Sequence, residues 1–368
     1  MIDSALILAN PYAEAARENA RAFCADFLAS DGRPRFILGR NVYAESVATQ
    51  IPIDGFIDDF TQDATYLGRP IHVLNEVPAD ALVLVAAGGR PLSARAQVAA
   101  RGLQQLDYFA FLEYSGLPLK PVVFNEGFAD EFRNHVADYE RIYERLADET
   151  SRETFRKLVN FRLTHDIHFL EGFSSREEVQ YFENFLELAA TGERFVDIGG
   201  FNGFTSLEFI RRCPGYESIE VFEPEPENYR TCIEQLRGHA NVTIHPLGLS
   251  AAPATLWIEP SGSGSRISDQ GTVAIEVARL DDVLADHPTF IKMDIEGAEL
   301  DAIGGMRETI GTCRPKLALS VYHAAGDFWR IPDAIFAIRD DYRIYLRHYT
   351  ESIYETVMFF VPDTLTPF

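Results

Sequence analysis

The sequence predicts an α/β protein made of two doubly wound, mostly parallel sheets joined by a helical segment, and three observations predict it. Short apolar runs alternate with helix-patterned stretches in the first 120 residues and again from residue 191 onward. Residues 126–190 contain no proline and set Phe132, Val136, Tyr139, Ile142, Tyr143 and Leu146 at helical spacing. Near the end, two apolar runs are separated only by a short turn, which suits an antiparallel hairpin. At about 150 residues per domain, 368 residues give two to three domains. The expected division is a small doubly wound domain over 1–120, a helical connector over 121–190 and a larger sheet domain over 191–368.

In the first domain the expected order is a strand RFILG at 35–39, a helix over 41–50, a strand within IDGFIDD at 53–59 and a strand ALVLVAA at 81–87. A helix follows Pro91 through SARAQVAARG and stops at Gly102, and YFAFL at 108–112 reads as the last strand. Ligands of such a sheet sit at the carboxyl ends of its strands. In the third domain the strands are RFVDIGG, SIEVFEP, NVTIHPL, TLWIEP, TFIKMD, KLALSVYH, YRIYLRH and ETVMFFVP. Helices are expected over about 203–212, 225–237, 297–311 and 333–339, and SGSGS at 261–265 reads as a flexible loop.

Composition narrows the function. With 33 basic and 56 acidic residues the net charge is −23, which repels phosphate backbones, and no basic stripe offsets it. Nucleic acid is therefore not the expected partner; a small molecule or a glycan is. No apolar run approaches the roughly 18 residues of a membrane span. The opening MIDSALILANPY lacks a basic leader, so a cytoplasmic location is expected. Cys24, Cys213, Cys232 and Cys313 have no paired spacing and read as reduced, mostly buried thiols.

The first chemical motif is an apolar strand running into Asp197-Ile-Gly199-Gly-Phe-Asn202-Gly203 just before a helix. Gly199 and Gly203 remove side chains where a cofactor must approach the backbone, Asp197 accepts backbone N–H groups, and the helix start offers donors to a carboxylate. A plain strand-to-helix turn would use the same glycines. The next strand ends at Glu223, an acid placed to accept both hydroxyls of a ribose. Dinucleotide folds use an acid in the same way, so a nicotinamide-dependent oxidoreductase stays open, although the loop is not GxGxxG. A cap for the PEPENYRTC helix is the bland alternative for Glu223.

The segments DIGGFNGFTS, VFEPEPENY, LGLS, IKMDIEGAEL and SVYH, in this order between about 178 and 362, resemble the successive motifs of FkbM-type S-adenosylmethionine-dependent methyltransferases. The resemblance implies a class I (Rossmann-like) methyltransferase sheet and O-methylation of a sugar, nucleotide sugar or surface glycan, hence a role in polysaccharide biosynthesis. It implies that Asp197, Gly199, Asn202 and Gly203 hold the methionine portion of the cofactor, that Glu223 holds the ribose, and that Gly248 and Ser250 lie near the adenine. Tyr181, in QYF, would border the cofactor. FILGRNVYAES and IDGFIDD resemble the nucleotide-sugar-binding domain of PglD-type acyltransferases, where Arg40 would supply charge and Asp58 and Asp59 the paired acids. A scaffold or dimerisation domain, giving a homo-oligomer, is the alternative for this part.

FIKMD ends at Asp294, and DIEGAEL then opens a helix with Glu296 and Glu299. Asp294 and Glu296 are expected near the transferred methyl group or a divalent cation, with Glu299 solvated as the bland reading. Lys292 either orients an acceptor or balances these carboxylates as an ion pair. His323, after KLALSVY, emerges at the same edge and suits a general base. Arg347 and His348 are secondary pocket candidates. The leading expectation is an O-methyltransferase; a non-catalytic cofactor-binding or assembly protein is the alternative from another class.

Overall fold

A computed structural model describes residues 4–29, 32–259, 266–267 and 271–363, so the expected loop at 261–265 lies outside the described residues. Contacts divide the chain into two units: residues up to Arg133 with Glu153–Ser175 and His348–Tyr354, and Asn134–Arg152 with Arg176–Arg347 and Glu355 onward. The 121–190 segment is thus shared between the two.

The first unit contains α1 (Ala13–Leu28), β1 (Arg35–Leu38), α2 (Val42–Ala48), β2 (Gly55–Ile57), β3 (Thr65–Tyr66), β4 (Arg69–His72), β5 (Leu82–Val85), α3 (Pro91–Ala100), β6 (Gln104–Asp107) and α4 (Tyr108–Tyr114). The sheet order is β3-β4-β2-β1-β5-β6, all parallel except the β3–β4 pair. Alternation sends β5 side chains to both faces: Leu82 and Leu84 join a core with Phe27 and Phe56, while Val83 and Val85 join one with Val98 and Leu103.

Residues 108–112 are helical, not a strand. The preceding QQLD forms β6, and Asp107 caps α4 by accepting the Ala110 N–H at 2.9 Å. The aromatic residues that suggested a strand are buried at helical spacing, and the cap decides their conformation. α1 and the β3–β4 pair have no counterpart in the sequence reading.

Arg40, expected to supply charge to a ligand, is engaged by acids of its own unit. It is bound by Asp58 at 2.7 Å and Asp63 at 2.9 Å, and Asp59 accepts the Leu74 N–H at 2.7 Å, so these acids hold loops together. The cavity of this unit, about 670 Å³, lies along β6 and is also lined by Arg17, Phe23, Glu113, His165 and Asp166.

The chain continues through α5 (Phe128–Asn134), α6 (Val136–Arg145) and α7 (Glu149–Thr164). The second unit's sheets then use β7 (Arg194–Ile198), α8 (Phe204–Arg212), β8 (Ser218–Phe222), α9 (Pro226–Gln235), β9 (Val242–His245), β10 (Gly248–Leu249), β11 (Ala254–Glu259), β12 (Arg266–Ile267) and β13 (Val273–Ala278). They are completed by α10 (Leu280–Val283), β14 (Phe290–Met293), α11 (Glu299–Gly304), α12 (Arg307–Cys313), β15 (Lys316–Ser320), α13 (Asp327–Phe336), β16 (Tyr342–His348) and β17 (Thr356–Pro362).

The main sheet has seven strands in the order β16-β17-β15-β14-β7-β8-β9. Its strands from β15 to β9 are parallel, and β17 returns antiparallel to β15. TLWIEP, expected in this sheet, instead lies in a four-stranded sheet β10-β13-β11-β12. The expected helix over 297–311 is divided into α11 and α12, and between them the chain at Gly305 passes against Ser250, where a Cβ would stand 2.1 Å from the Ser250 carbonyl oxygen.

α6 is tied to α13 by Arg141 with Asp333 at 2.6 Å and by the Tyr139 hydroxyl donating to Ala325. Arg347 is paired with Asp148 at 2.7 Å and lies over the Phe185 ring, and His348 is buried against Phe173; neither lines a cavity beside the glycine turn. Cys24, Cys213 and Cys232 are buried free thiols, and Cys313 is half-buried and free.

Candidate active site

β7 delivers Asp197 to the sheet interior, where its Oδ2 accepts the Ser206 hydroxyl at 2.7 Å and its Oδ1 faces Lys292 Nζ at 3.1 Å. Lys292 also donates to the Gly199 carbonyl at 2.6 Å. Burial lowers the Lys292 pKa, but Asp197 and Asp294 outweigh it, and the ammonium is held above its ordinary value. This charge pair braces the turn from behind. At Gly199 φ is +78°, and a Cβ would stand 1.9 Å from the Asp294 carbonyl oxygen, so close approach of two strand ends requires glycine there.

At the end of β8, Glu223 is 6% exposed. Its Oε2 accepts the Phe201 N–H at 2.8 Å and its Oε1 the Glu225 N–H at 2.9 Å. Burial pushes its pKa up to about 7, against the pull of those two hydrogen bonds. The cap of α9 is Glu225, which accepts the N–H groups of Glu227 and Asn228. Glu223 is thereby left in the lining of a slot of about 100 Å³, with Phe222, Pro224, Gly248, Ile275 and Val277 also in its walls.

A second cavity, about 280 Å³, shares Gly199, Phe201, Asp294 and Glu296 with this slot. Its other walls include Gln180, Tyr181, Asn202, Lys292, Tyr322 and Glu355. Tyr181 donates to Asp294 Oδ2 at 2.7 Å; Gln180 donates to Glu355 Oε2 at 2.5 Å and Tyr322 to its Oε1 at 3.2 Å. Burial and the nearby Asp294 raise the Glu355 pKa. Tyr181, Phe201, Glu296 and Glu355 all have φ between +48° and +71°, so non-glycine residues in the left-handed region gather on this one wall.

His323 stands behind the acids. Its Nδ1 is 2.8 Å from Glu299 Oε1, and its Nε2 is 3.3 Å from Asp294 Oδ1 and 3.8 Å from Glu296 Oε1. Burial would lower its pKa, but Glu299, Asp294 and Glu296 hold it up at about 10. The general-base expectation for His323 meets two obstacles: the three surrounding carboxylates favour its protonated form, and it is absent from both cavity walls. Glu299 is not solvated but 1% exposed, bonded to His323 and to the Ile295 N–H.

Of the sequence candidates, Tyr181, Gly199, Asn202, Glu223, Gly248, Lys292, Asp294 and Glu296 line one or both cavities. Asp197, Gly203, Ser250 and His323 do not. Asp197 acts on the turn through Ser206 and Lys292, Gly203 begins α8, and Ser250 packs against Gly305. Gln180, Tyr322 and Glu355 were missed; a buried strand end at Tyr322 was the one readable signal among them.

A glycine turn, an acid at the tip of the neighbouring strand and an apolar slot at the carboxyl edge of a parallel sheet are the features with which α/β sheets hold nucleoside cofactors. Residues 197–352 match the family model described as Methyltransferase FkbM domain. The crystal structure of Methyltransferase FkbM from Methylobacillus flagellatus KT is similar over 94% of this chain and 97% of that one, with 25% identity and a TM-score of 0.73. Two curated relatives are Methyltransferase 1 of Beauveria bassiana, 26% identical over 36% of this chain, and hexuronic acid methyltransferase AglP of Haloferax volcanii, 28% identical over 27%. The matches span 66% and 45% of those relatives' lengths, less than two thirds of either.

The residues present fit S-adenosylmethionine. The desolvated Glu223 carboxylate suits a ribose diol, the apolar slot beyond it suits a flat base, and Asn202 and the glycine turn face the adjoining cavity.

Proposed function

We propose that this chain transfers a methyl group from S-adenosylmethionine to a hydroxyl of a sugar, nucleotide sugar or surface glycan, as an enzyme of the cell interior. The observation that carries the reading is a pair of adjoining cavities that share Gly199, Phe201, Asp294 and Glu296 in their walls, the first with Glu223 in its lining and the second acid-walled. A nucleoside in the first leaves the second for an acceptor. The similarity to the hexuronic acid methyltransferase of Haloferax volcanii supports a sugar hydroxyl as the target.

Bound S-adenosylmethionine supplies an electrophilic methyl carbon whose bond to sulfur breaks as the acceptor oxygen attacks. Glu223 and the slot fix the nucleoside, which fixes the methyl position by geometry. The Tyr181 hydroxyl holds Oδ2 of Asp294 and His323 Nε2 faces its Oδ1, so the carboxylate is fixed in the wall of both cavities, where it takes the acceptor proton as the new C–O bond forms. Lys292 and Asp197 keep the turn rigid during this displacement. Asp294 replaces His323 as base in this reading because Asp294 lines the cavities and His323 does not.

Calorimetric titration with S-adenosylmethionine, followed by mass spectrometry of products from nucleotide sugars and oligosaccharides, tests the proposal. A bound cofactor and a product heavier by one methylene are expected. Absence of cofactor binding to the folded chain would overturn it.

A further inference from the structure

We propose that Asp294, Glu296 and His323 form a binding site for one divalent first-row metal ion of the Mn²⁺ type. β14 and β15 are adjacent and parallel, so the residues that follow them emerge at one edge: Asp294 and Glu296 after β14, His323 after β15. Nε2 of His323 lies 3.3 Å from Asp294 Oδ1 and 3.8 Å from Glu296 Oε1. Neighbouring donors about 2.1 Å from an octahedral ion stand about 3 Å apart, and both separations from Nε2 are within about 1 Å of that spacing.

The atoms of these side chains that point away from that position are already held. Nδ1 of His323 meets the buried Glu299 at 2.8 Å, and Glu299 is itself fixed by the Ile295 N–H. Oδ2 of Asp294 accepts the Tyr181 hydroxyl at 2.7 Å. A carboxylate behind a ligating imidazole and a donor behind a ligating carboxylate are what orient metal ligands and set their basicity. The same groups bring Asp294, Glu299 and His323 donor atoms within 4.8 Å of one another.

The donor set selects the ion. One imidazole nitrogen with two carboxylate oxygens and no thiolate suits Mn²⁺, Fe²⁺ or Co²⁺ better than Ca²⁺ or a soft monovalent ion. Three protein donors leave positions for water or for an oxygen from the cavities that Asp294 and Glu296 line. If the methyl-transfer reading holds, on which only this last step rests, an acceptor hydroxyl bound there would lose its proton more readily, to solvent water rather than to Asp294, whose Oδ1 then holds the ion.

The test uses the full chain, stripped with chelator and titrated with Mn²⁺ alone, following loss of the free-ion electron paramagnetic resonance signal. One ion per chain is expected, with a nitrogen coupling in the pulsed spectrum from the His323 imidazole. Glu296→Gln and His323→Gln should each weaken binding by roughly tenfold or more. No binding, no nitrogen coupling in the wild-type chain, or unchanged affinity in folded variants would overturn the site. S-adenosylmethionine binding to the metal-free chain is read separately: its absence counts against methyl transfer and leaves the metal result standing.

Discussion

Lys292 and Asp197 are register partners on adjacent parallel strands, with Nζ 3.1 Å from Oδ1 and both side chains sealed from water. Because Lys292 also holds the Gly199 carbonyl, one ammonium ties together two strands and the turn that faces the cavities.

Removing one member of that pair strands the other charge in the core. Lys292→Met should therefore lower unfolding free energy by about 3–5 kcal/mol, while Lys292→Met combined with Asp197→Leu should recover much of the loss. Chemical denaturation reads both. A single variant as stable as the parent would show that the pair contributes little.

If Glu223 holds the ribose as proposed, adenosine binding should depend on pH. Its pKa is raised to about 7, so it is protonated in mild acid, and the ionised form that accepts a ribose diol appears only as pH rises through that value. Affinity for adenosine, which does not ionise in this range, should increase by roughly tenfold from about pH 6 to about pH 8. Glu223→Gln should flatten the profile and weaken binding at the upper end by about 1.5–3 kcal/mol. A pH-independent parent would remove Glu223 from the ribose site.

Gly199→Ala is expected to fail for a reason unrelated to ligand. The added carbon meets the Asp294 carbonyl, and φ of +78° adds strain of about 1–3 kcal/mol. A lowered Tm together with lost adenosine binding is the expected result; a variant with parental Tm would contradict the strand-end approach.

Deleting residues 1–120 should not yield a clean second unit. Tyr354 would lose the Tyr43 hydroxyl, 2.7 Å away, and Glu351 would lose Ser93, leaving 153–175 and 348–354 without the sheet they pack on. Size-exclusion chromatography should show aggregation. A monodisperse truncation that still binds S-adenosylmethionine would contradict this.

Legibility followed chain continuity. Gly199, Glu223 and Asp294 were readable because strand, turn and acid lie in one short stretch with its periodicity intact. Gln180, Tyr322 and Glu355 meet only when three distant segments converge, and the positive φ of Glu355 carries no signature in its residue type. The placing of His323 behind the acids, rather than on the cavity wall, depends on how Glu299 packs, which helical spacing does not disclose. The 108–112 segment was misread because β propensity of aromatic residues competes with a single capping aspartate, and the cap prevailed.

The segment His348–Tyr354, between β16 and β17, packs with the first 133 residues. On a translating ribosome that segment appears only after more than two hundred further residues have been made. At 5–20 residues per second the first sheet then waits roughly 10–40 s for its last piece. The early part of the chain is therefore an unfinished body through most of its own synthesis, and a pause or premature stop late in the message leaves both units incomplete.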